Sequence, residues 1–340
     1  MTSLMLKEAR SACESVATLL QSDKERFAEL GRHLRSKPLT NVLTVARGSS
    51  DHAASYCAYL IMSRLGRVVA SLPMSLVTLY KSPLVTRDTL TIAISQSGQS
   101  PDVIEPIRYF RDGAATTVAL VNDTSSPLAN TAEWSLGLHA GPEISVAATK
   151  SFINSLVASA RLVGHWQNDA AFLEALLTLP DGLREAADID WSPALEVLTP
   201  ARNIMVVGRG ISFPIALEAG LKFKETSAIQ AEAFSSAEIK HGPMALVDDG
   251  YPLLIFATRG PTQAGMLKLA EEMRGRGANV LLAAPSDVAE RQLTLPTAAV
   301  PDLDPILAIQ SFYVMAAELS RARGLDPDKP RHLNKVTKTN

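Results

Sequence analysis

The stretch Ile215–Thr226 reads as a helix carrying Glu218, Lys222 and Glu225, so an ammonium stands about one turn from each of two carboxylates on a single face. A carboxylate held this way can move a proton between adjacent carbons, and the ammonium can steady the charge that develops. The same spacing also describes an ordinary solvated ion-pair face, which contributes little to stability. His241, in Lys240-His241-Gly242-Pro243, is of a residue type that can open a ring by acid–base catalysis, or it caps a turn. Residue type leaves both pairs of readings open.

Two other segments suit an anion. Ser95-Gln96-Ser97-Gly98-Gln99-Ser100-Pro101-Asp102 combines small hydroxyls with a glycine that lets the backbone close around a ligand. Ser100 is a good N-cap there and Pro101 a good first helical residue. Arg47-Gly48-Ser49-Ser50-Asp51 has a similar character. Successive backbone N–H groups, hydroxyls and a helix N-terminus form a phosphate cradle without needing a lysine. A serine-rich turn before a capped helix would use the same residues.

These segments sit at the ends of apolar runs, and the runs repeat. Asn41 to Ser50 matches Asn203 to Ser212 at an offset of 162 residues, both ending in Arg-Gly-x-Ser. The same offset carries Ile92–Gly98 onto Leu254–Gly260 and Thr117–Leu120 onto Asn279–Leu282. Two copies of one domain are expected. Residues 41–46, 89–95 and 116–121 read as strands buried on both faces, as do 203–208, 252–258 and 278–284. Helices are expected at 51–65 and 101–111, and at 213–226 and 261–275. This alternation predicts an α/β fold of two tandem domains, each a parallel sheet flanked by helices in three layers, flavodoxin-like. Ligands in such sheets bind beyond the carboxyl ends of the strands. The second copy has Ala257-Thr258-Arg259-Gly260-Pro261 where the first has its hydroxyl-rich loop, so the first copy is the expected phosphate holder.

The expected organisation is N-terminal helices over 1–35, a phosphate-binding domain over 36–165, a helical connector over 166–198, a second domain over 199–323 carrying the Glu and His, and a tail over 324–340 carrying Lys335. The chain has 340 residues, of which 46% are hydrophobic and 20% charged, so it is globular rather than disordered. A net charge of −2 gives no basic field for nucleic acid. Two cysteines, Cys13 and Cys57, are too few for a disulfide framework or a cysteine-based zinc site. His33, His52, His139 and His165 lack metal-ligand spacing to one another. No run is apolar enough to span a bilayer, and no signal core begins the chain, so a cytoplasmic protein is expected.

With these motifs in hand, the chain resembles the tandem sugar-isomerase (SIS) half of glucosamine-6-phosphate synthase, the glutamine–fructose-6-phosphate aminotransferase family. It looks still more like the stand-alone SIS-type glucosamine-6-phosphate deaminases and fructosamine-phosphate deglycases. The resemblance rests on Arg47–Ser50, Ser95–Ser100, Glu143-Ile144-Ser145-Val146-Ala147-Ala148-Thr149-Lys150, Ala216–Glu225 continuing to Lys240–Pro243, and the tail Asp326–Lys335. It implies that Ser95, Gln96, Ser97 and Ser100 bind the sugar phosphate, and that Ser50 with the Val146 and Ala147 backbone holds sugar hydroxyls. It implies Glu225 as the base between C1 and C2, with Lys222 supporting it. His241, contributed by the neighbouring subunit, would assist ring opening, which implies a homodimer. Lys335 would reach the open-chain carbonyl. Neither metal nor cofactor is implied.

Three departures bear on the substrate. Arg47-Gly48-Ser49-Ser50 stands where family members often have Cys-Gly-Thr-Ser, Ala148 stands where the synthase has serine, and Gln99 replaces a glutamate. In addition, Met1 is followed by Thr2 and the helical pattern starts almost at once, so no glutaminase domain is expected. The chain is then expected to use free ammonia, release ammonia or only isomerise. The reading reached is a cofactor-free deaminase-isomerase converting glucosamine 6-phosphate to fructose 6-phosphate and ammonia. A fructosamine-6-phosphate deglycase and a non-catalytic phosphosugar sensor are the alternatives. The expected partner is a small sugar phosphate, with no nucleic acid and no membrane.

Overall fold

The apolar runs of the first copy form β1 (Asn41–Val45), β3 (Thr89–Ser95) and β4 (Thr116–Val121), joined by two short strands, β2 (Val69–Ser71) and β5 (Trp134–Gly137). The second copy forms β6 (Asn203–Gly208), β7 (Gln230–Ser235), β8 (Pro252–Phe256), β9 (Asn279–Pro285) and β10 (Leu293–Leu295). These come from a computed structural model, which describes residues 2–335; Met1 and residues 336–340 of the expected tail lie outside the described residues. The chain divides into two units. The β1–β5 unit takes Glu14–Glu143, Lys150–Leu177 and residues 334–335; the β6–β10 unit takes residues 2–13, Ile144–Thr149 and Thr178–Leu333. Unit membership therefore changes within the leading helices and within the expected connector 166–198.

In the β1–β5 unit the five strands are parallel, in the order β2-β1-β3-β4-β5. Val42 pairs with Leu90 and Ile92 with Val118, so the central strands share one register of apolar side chains. Every residue of β4 is buried, as expected of a strand covered on both faces. Helices Ser49–Leu65 and Pro101–Asp112 follow β1 and β3. The latter buries Val103, Ile107 and Phe110 against Val45, Ala93 and Ala119. The fully buried Ile107 and Phe110 each contribute about 1.5–3 kcal/mol. A helix at Lys150–Gln167, outside the expected set, is buried along nearly its whole length and packs on Ser49–Leu65.

The β6–β10 unit repeats the design, in the order β10-β9-β8-β6-β7, which is the same arrangement read from the opposite edge. Helices Phe213–Ser227 and Gln263–Gly275 stand at the predicted places, and a further buried helix, Asp304–Ala322, packs on the first of them. Its core joins Met205, Val207 and Ile255 to Met266, Met273 and Leu282. An order of this kind places the topological switch point between the first and third strands of each sheet, where the connections leave in opposite directions and open a crevice.

Candidate active site

In the β1–β5 unit that crevice, beyond the carboxyl ends of β1 and β3, is a cavity of about 350 Å³. Arg47, Gly48 and Ser50 line it from one strand end, and Ser95, Gln96, Ser97 and Ser100 from the other. The loop after β3 is held in shape by its own hydroxyls. Ser95 Oγ accepts the Gly98 N–H at 2.9 Å, and Ser97 Oγ accepts the Gln99 N–H at 3.3 Å. Gly98 lies at φ +62°, and a Cβ there would stand 2.1 Å from Ser126 Oγ, so the turn requires glycine. Ser100 occupies the N-cap and Pro101 the first turn, yet the Ser100 side chain does not cap the helix N–H groups. The positive end of the helix Pro101–Asp112 thus faces the cavity among hydroxyls, an arrangement suited to an anion.

Lys335 completes the cavity wall. Its Nζ stands 3.0 Å from Glu143 Oε2, and the Glu143 side chain is fully buried. Ser151, in the first turn of the helix Lys150–Gln167, fixes that carboxylate by donating its N–H at 3.1 Å and its hydroxyl at 2.6 Å. Sequence reasoning places Glu143 within a motif and gives it no role. A glutamate eight residues ahead of a serine at a helix start gives no sign that a lysine 192 residues away will meet it.

The β6–β10 unit holds the carboxylate–ammonium cluster. Glu218 and Lys222 are buried, with side-chain exposures of 0% and 1%, which overturns the solvated-face alternative. Lys222 Nζ lies 3.2 Å from Glu218 Oε1 and 2.5 Å from Glu225 Oε2. Tyr313, from the helix Asp304–Ala322, donates its hydroxyl to Glu218 Oε1 at 2.9 Å. Burial alone would push the Lys222 ammonium down; Glu218 and Glu225 together outweigh it and hold its pKa above the usual lysine value. Glu225 is the outermost member and opens on a cavity of about 350 Å³, lined also by Lys224, Asp326, Lys329, Arg331 and His332.

The remaining expected residues fall elsewhere. His241 is exposed on the short 3-10 turn Glu238–His241 after β7 and does not line the Glu225 cavity. Val146 and Ala147 belong to the β6–β10 unit, whereas Ser50 belongs to the other. The Val146 N–H donates to the Asp328 carbonyl at 3.2 Å, and Ala147 is buried. Just before them, the Ser145 N–H donates to the Glu8 carboxylate, and Asp328 in turn accepts the N–H groups of Leu4 and Met5. The structure therefore brings together Ser50, Ser95, Gln96, Ser97, Ser100 and Lys335 in one cavity, and Lys222 with Glu225 in a second cluster.

The second copy's switch point differs from the first. Ser212 folds back to exchange bonds with the Arg209 backbone, and Arg259 is drawn onto Asp304 at 2.7 Å. The hydroxyl-rich cradle belongs to one copy.

The SIS-domain family model matches residues 34–163 and 197–317. The chain belongs to the SIS-domain family. Both matched regions contain one of the five-stranded parallel sheets. This SIS protein is 34% identical over 333 residues to a glutamine–fructose-6-phosphate aminotransferase of Thermus thermophilus, covering 92% of this chain and 54% of that one. It thus spans about half the length of the curated relatives it matches. A solved Silicibacter pomeroyi structure, described as a phosphosugar isomerase, superposes with a TM-score of 0.91 and 38% identity, covering 96% of this chain and all of that one. The C-terminal domain of glucosamine-fructose-6-phosphate aminotransferase from Francisella tularensis superposes with a TM-score of 0.86 and 25% identity, covering 97% and 99% of the two chains. Among the described residues no cluster of three or more His, Cys, Asp or Glu is placed to hold a metal ion, and no helix is long and apolar enough to cross a membrane.

Proposed function

We propose that this SIS protein is a phosphosugar isomerase acting on an amino sugar: it converts glucosamine 6-phosphate and water to fructose 6-phosphate and ammonia. The observation that carries the reading is the buried Glu218–Lys222–Glu225 cluster, whose outermost carboxylate opens on a cavity. A sensor that only binds sugar phosphate has no use for a carboxylate supported by a buried ammonium. The phosphate is assigned to the loop Ser95–Ser100, and the sugar hydroxyls to Ser50 with the Val146–Ala147 backbone.

His241, from a second copy of the chain in a homodimer, assists opening of the pyranose to the aldehyde at C1. Glu225 takes the C2 proton, and the electron pair passes through an enaminol. The proton returns to C1, leaving C1 as CH2OH and C2 as an imine. Water adds to that imine and ammonia leaves, giving the ketone. Lys335 stabilises the oxygen of the open chain. Lys222 anchors one Glu225 oxygen, so the other is positioned over both carbons. Adjacent-carbon proton transfer by one carboxylate needs a well-placed base, and the Lys222 contact supports Glu225 in that role.

The test is ammonia release from glucosamine 6-phosphate, coupled to detection of fructose 6-phosphate, with Glu225→Gln in parallel. Turnover in the parent protein, lost in the variant, is expected. A folded protein that binds fructose 6-phosphate and leaves glucosamine 6-phosphate untouched refutes the deaminase reading and moves the assay to fructosamine 6-phosphates.

A further inference from the structure

Arg47 is the residue at which this chain departs from the family's more usual cysteine, and it is built into the cavity wall. It follows β1 directly and lines the same cavity as Ser95, Gln96, Ser97 and Ser100. Its Nε donates to Asp102 Oδ2 at 2.9 Å. Asp102 is 5% exposed and sits in the first turn of the helix whose N-terminus faces that cavity. A carboxylate in that turn opposes any anion arriving there, because it competes for the positive end of the helix. The Arg47 guanidinium removes that opposition. It also brings more donors than Asp102 consumes: with Nε engaged, its two terminal nitrogens make no bond to any described residue. Those nitrogens form the edge of the guanidinium that matches two oxygens of a phosphoryl group.

The second copy supplies an internal control. At the repeat offset, Arg209 stands for Arg47, but the position of Asp102 is held by Ala264 and those of Ser95 and Ser97 by Ala257 and Arg259. Arg209 there reaches Ser236 Oγ at 3.5 Å instead. The Arg47–Asp102 pair thus accompanies the hydroxyl cradle and has no counterpart at the equivalent positions, Arg209 and Ala264, of the copy that lacks the cradle.

We propose that Arg47 is a phosphate-binding residue, presenting a bidentate guanidinium edge to the substrate phosphoryl group, and that Asp102 is the positioning residue that aims it. This rests on the assignment of the phosphate to Ser95–Ser100.

The experiment measures dissociation constants for fructose 6-phosphate and for inorganic phosphate by calorimetry, in the parent protein and in Arg47→Ala, Arg47→Lys, Ser97→Ala, Asp102→Asn and Arg47→Ala/Asp102→Asn. Arg47→Ala is expected to weaken both ligands about ten- to a hundredfold, the loss of a charge-assisted bidentate contact. Arg47→Lys recovers part of that loss, since an ammonium keeps the charge without the fork. Asp102→Asn weakens both ligands when Arg47 is present and strengthens them in the Arg47→Ala background, where it removes a carboxylate left without its guanidinium, a reversal of sign that a merely structural role would not produce. Arg47 has a side chain 59% exposed, so its variants fold even where an Asp102 variant does not, and they decide the matter alone. Unchanged affinity in Arg47→Ala, with a loss in Ser97→Ala, overturns the Arg47 assignment and leaves the cradle standing. Unchanged affinity in both overturns the cradle and this proposal with it.

Discussion

Replacing Lys222 with methionine separates a buried charge cluster from a surface pair. The substitution keeps most of the side chain's volume and removes only the ammonium. Glu218, fully buried, then keeps the Tyr313 hydroxyl but loses the charge 3.2 Å away. Removing one partner of a buried pair costs about 3–5 kcal/mol, against ~1 kcal/mol or less for an exposed pair. The deficit should also depend on pH, in a direction fixed by the chemistry. Without its counter-charge the buried carboxyl folds most readily in the protonated form, so its folded pKa rises above the unfolded value of about 4.3. A carboxyl shifted upward leaves stability intact below ~4.3 and removes it as pH rises through the folded pKa. The gap between parent and variant therefore opens as pH rises above ~4.3, where the unfolded carboxyl ionises and the buried one resists. Urea titrations at pH 5 and pH 8 test this, read by tryptophan fluorescence; Trp191 is buried within the same unit. A deficit below ~1 kcal/mol at pH 8, or one equal at both pH values, would refute the buried-cluster argument.

Other consequences can be measured with the same protein. Glu143→Gln retains an acceptor for Ser151 but removes the charge that holds Lys335, so kcat with glucosamine 6-phosphate should fall about tenfold or more while KM changes little. Gly98→Ala places a Cβ 2.1 Å from Ser126 Oγ at φ +62°, so it should destabilise by more than ~1 kcal/mol and weaken inorganic phosphate binding together, seen as a lower melting midpoint and a higher Kd. Burial, helped by Arg161 and Arg35, pushes His165 down to about 4. The unfolded chain takes up that proton near 6.5, so stability is complete above ~6.5 and is lost as pH falls toward the folded value. His165→Gln should flatten the melting midpoint across that acid window.

How far the sequence discloses this molecule depends on whether a signal is local. Strands β3 and β4 are legible because burial on both faces demands an unbroken apolar run, and the runs end within a residue of the observed strands. The edge strands are not: β2 has three residues, mostly exposed, and β7 is Gln-Ala-Glu-Ala-Phe-Ser, with a polar residue at every other early position. The helix Lys150–Gln167 is hidden for the opposite reason. It is buried while carrying Ser151, Asn154, Ser155, Ser159 and Arg161, each of them bonded: Ser155 and Ser159 within the helix, on the Ser151 and Ser155 carbonyls, and Ser151, Asn154 and Arg161 on Glu143, the Leu138 carbonyl and the Leu19 carbonyl. Polar residues so bonded dilute the apolar pattern without exposing any surface.

The same distinction divides the site. Ser95 to Pro101 announces itself, because hydroxyls, a left-handed glycine and an N-cap lie within one short loop. Lys222 between two glutamates does not, because the spacing on a helix is identical whether the face meets water or Tyr313, and Tyr313 is 95 residues from Glu218. Glu143 and Lys335 are further apart still. The duplicated halves make the point from within one chain. Core positions of β3 and β8 answer to the same packing on both faces, so Ile94 faces the same demand as Phe256 and both are fully buried. Loop positions answer only to a ligand or to a local partner. Where Ser97 lines a cavity, its counterpart Arg259 is pinned to Asp304, and a charge so committed does not reach an incoming phosphate. The fold is therefore readable from either copy, while the division of labour is readable only from the residues in which the copies disagree.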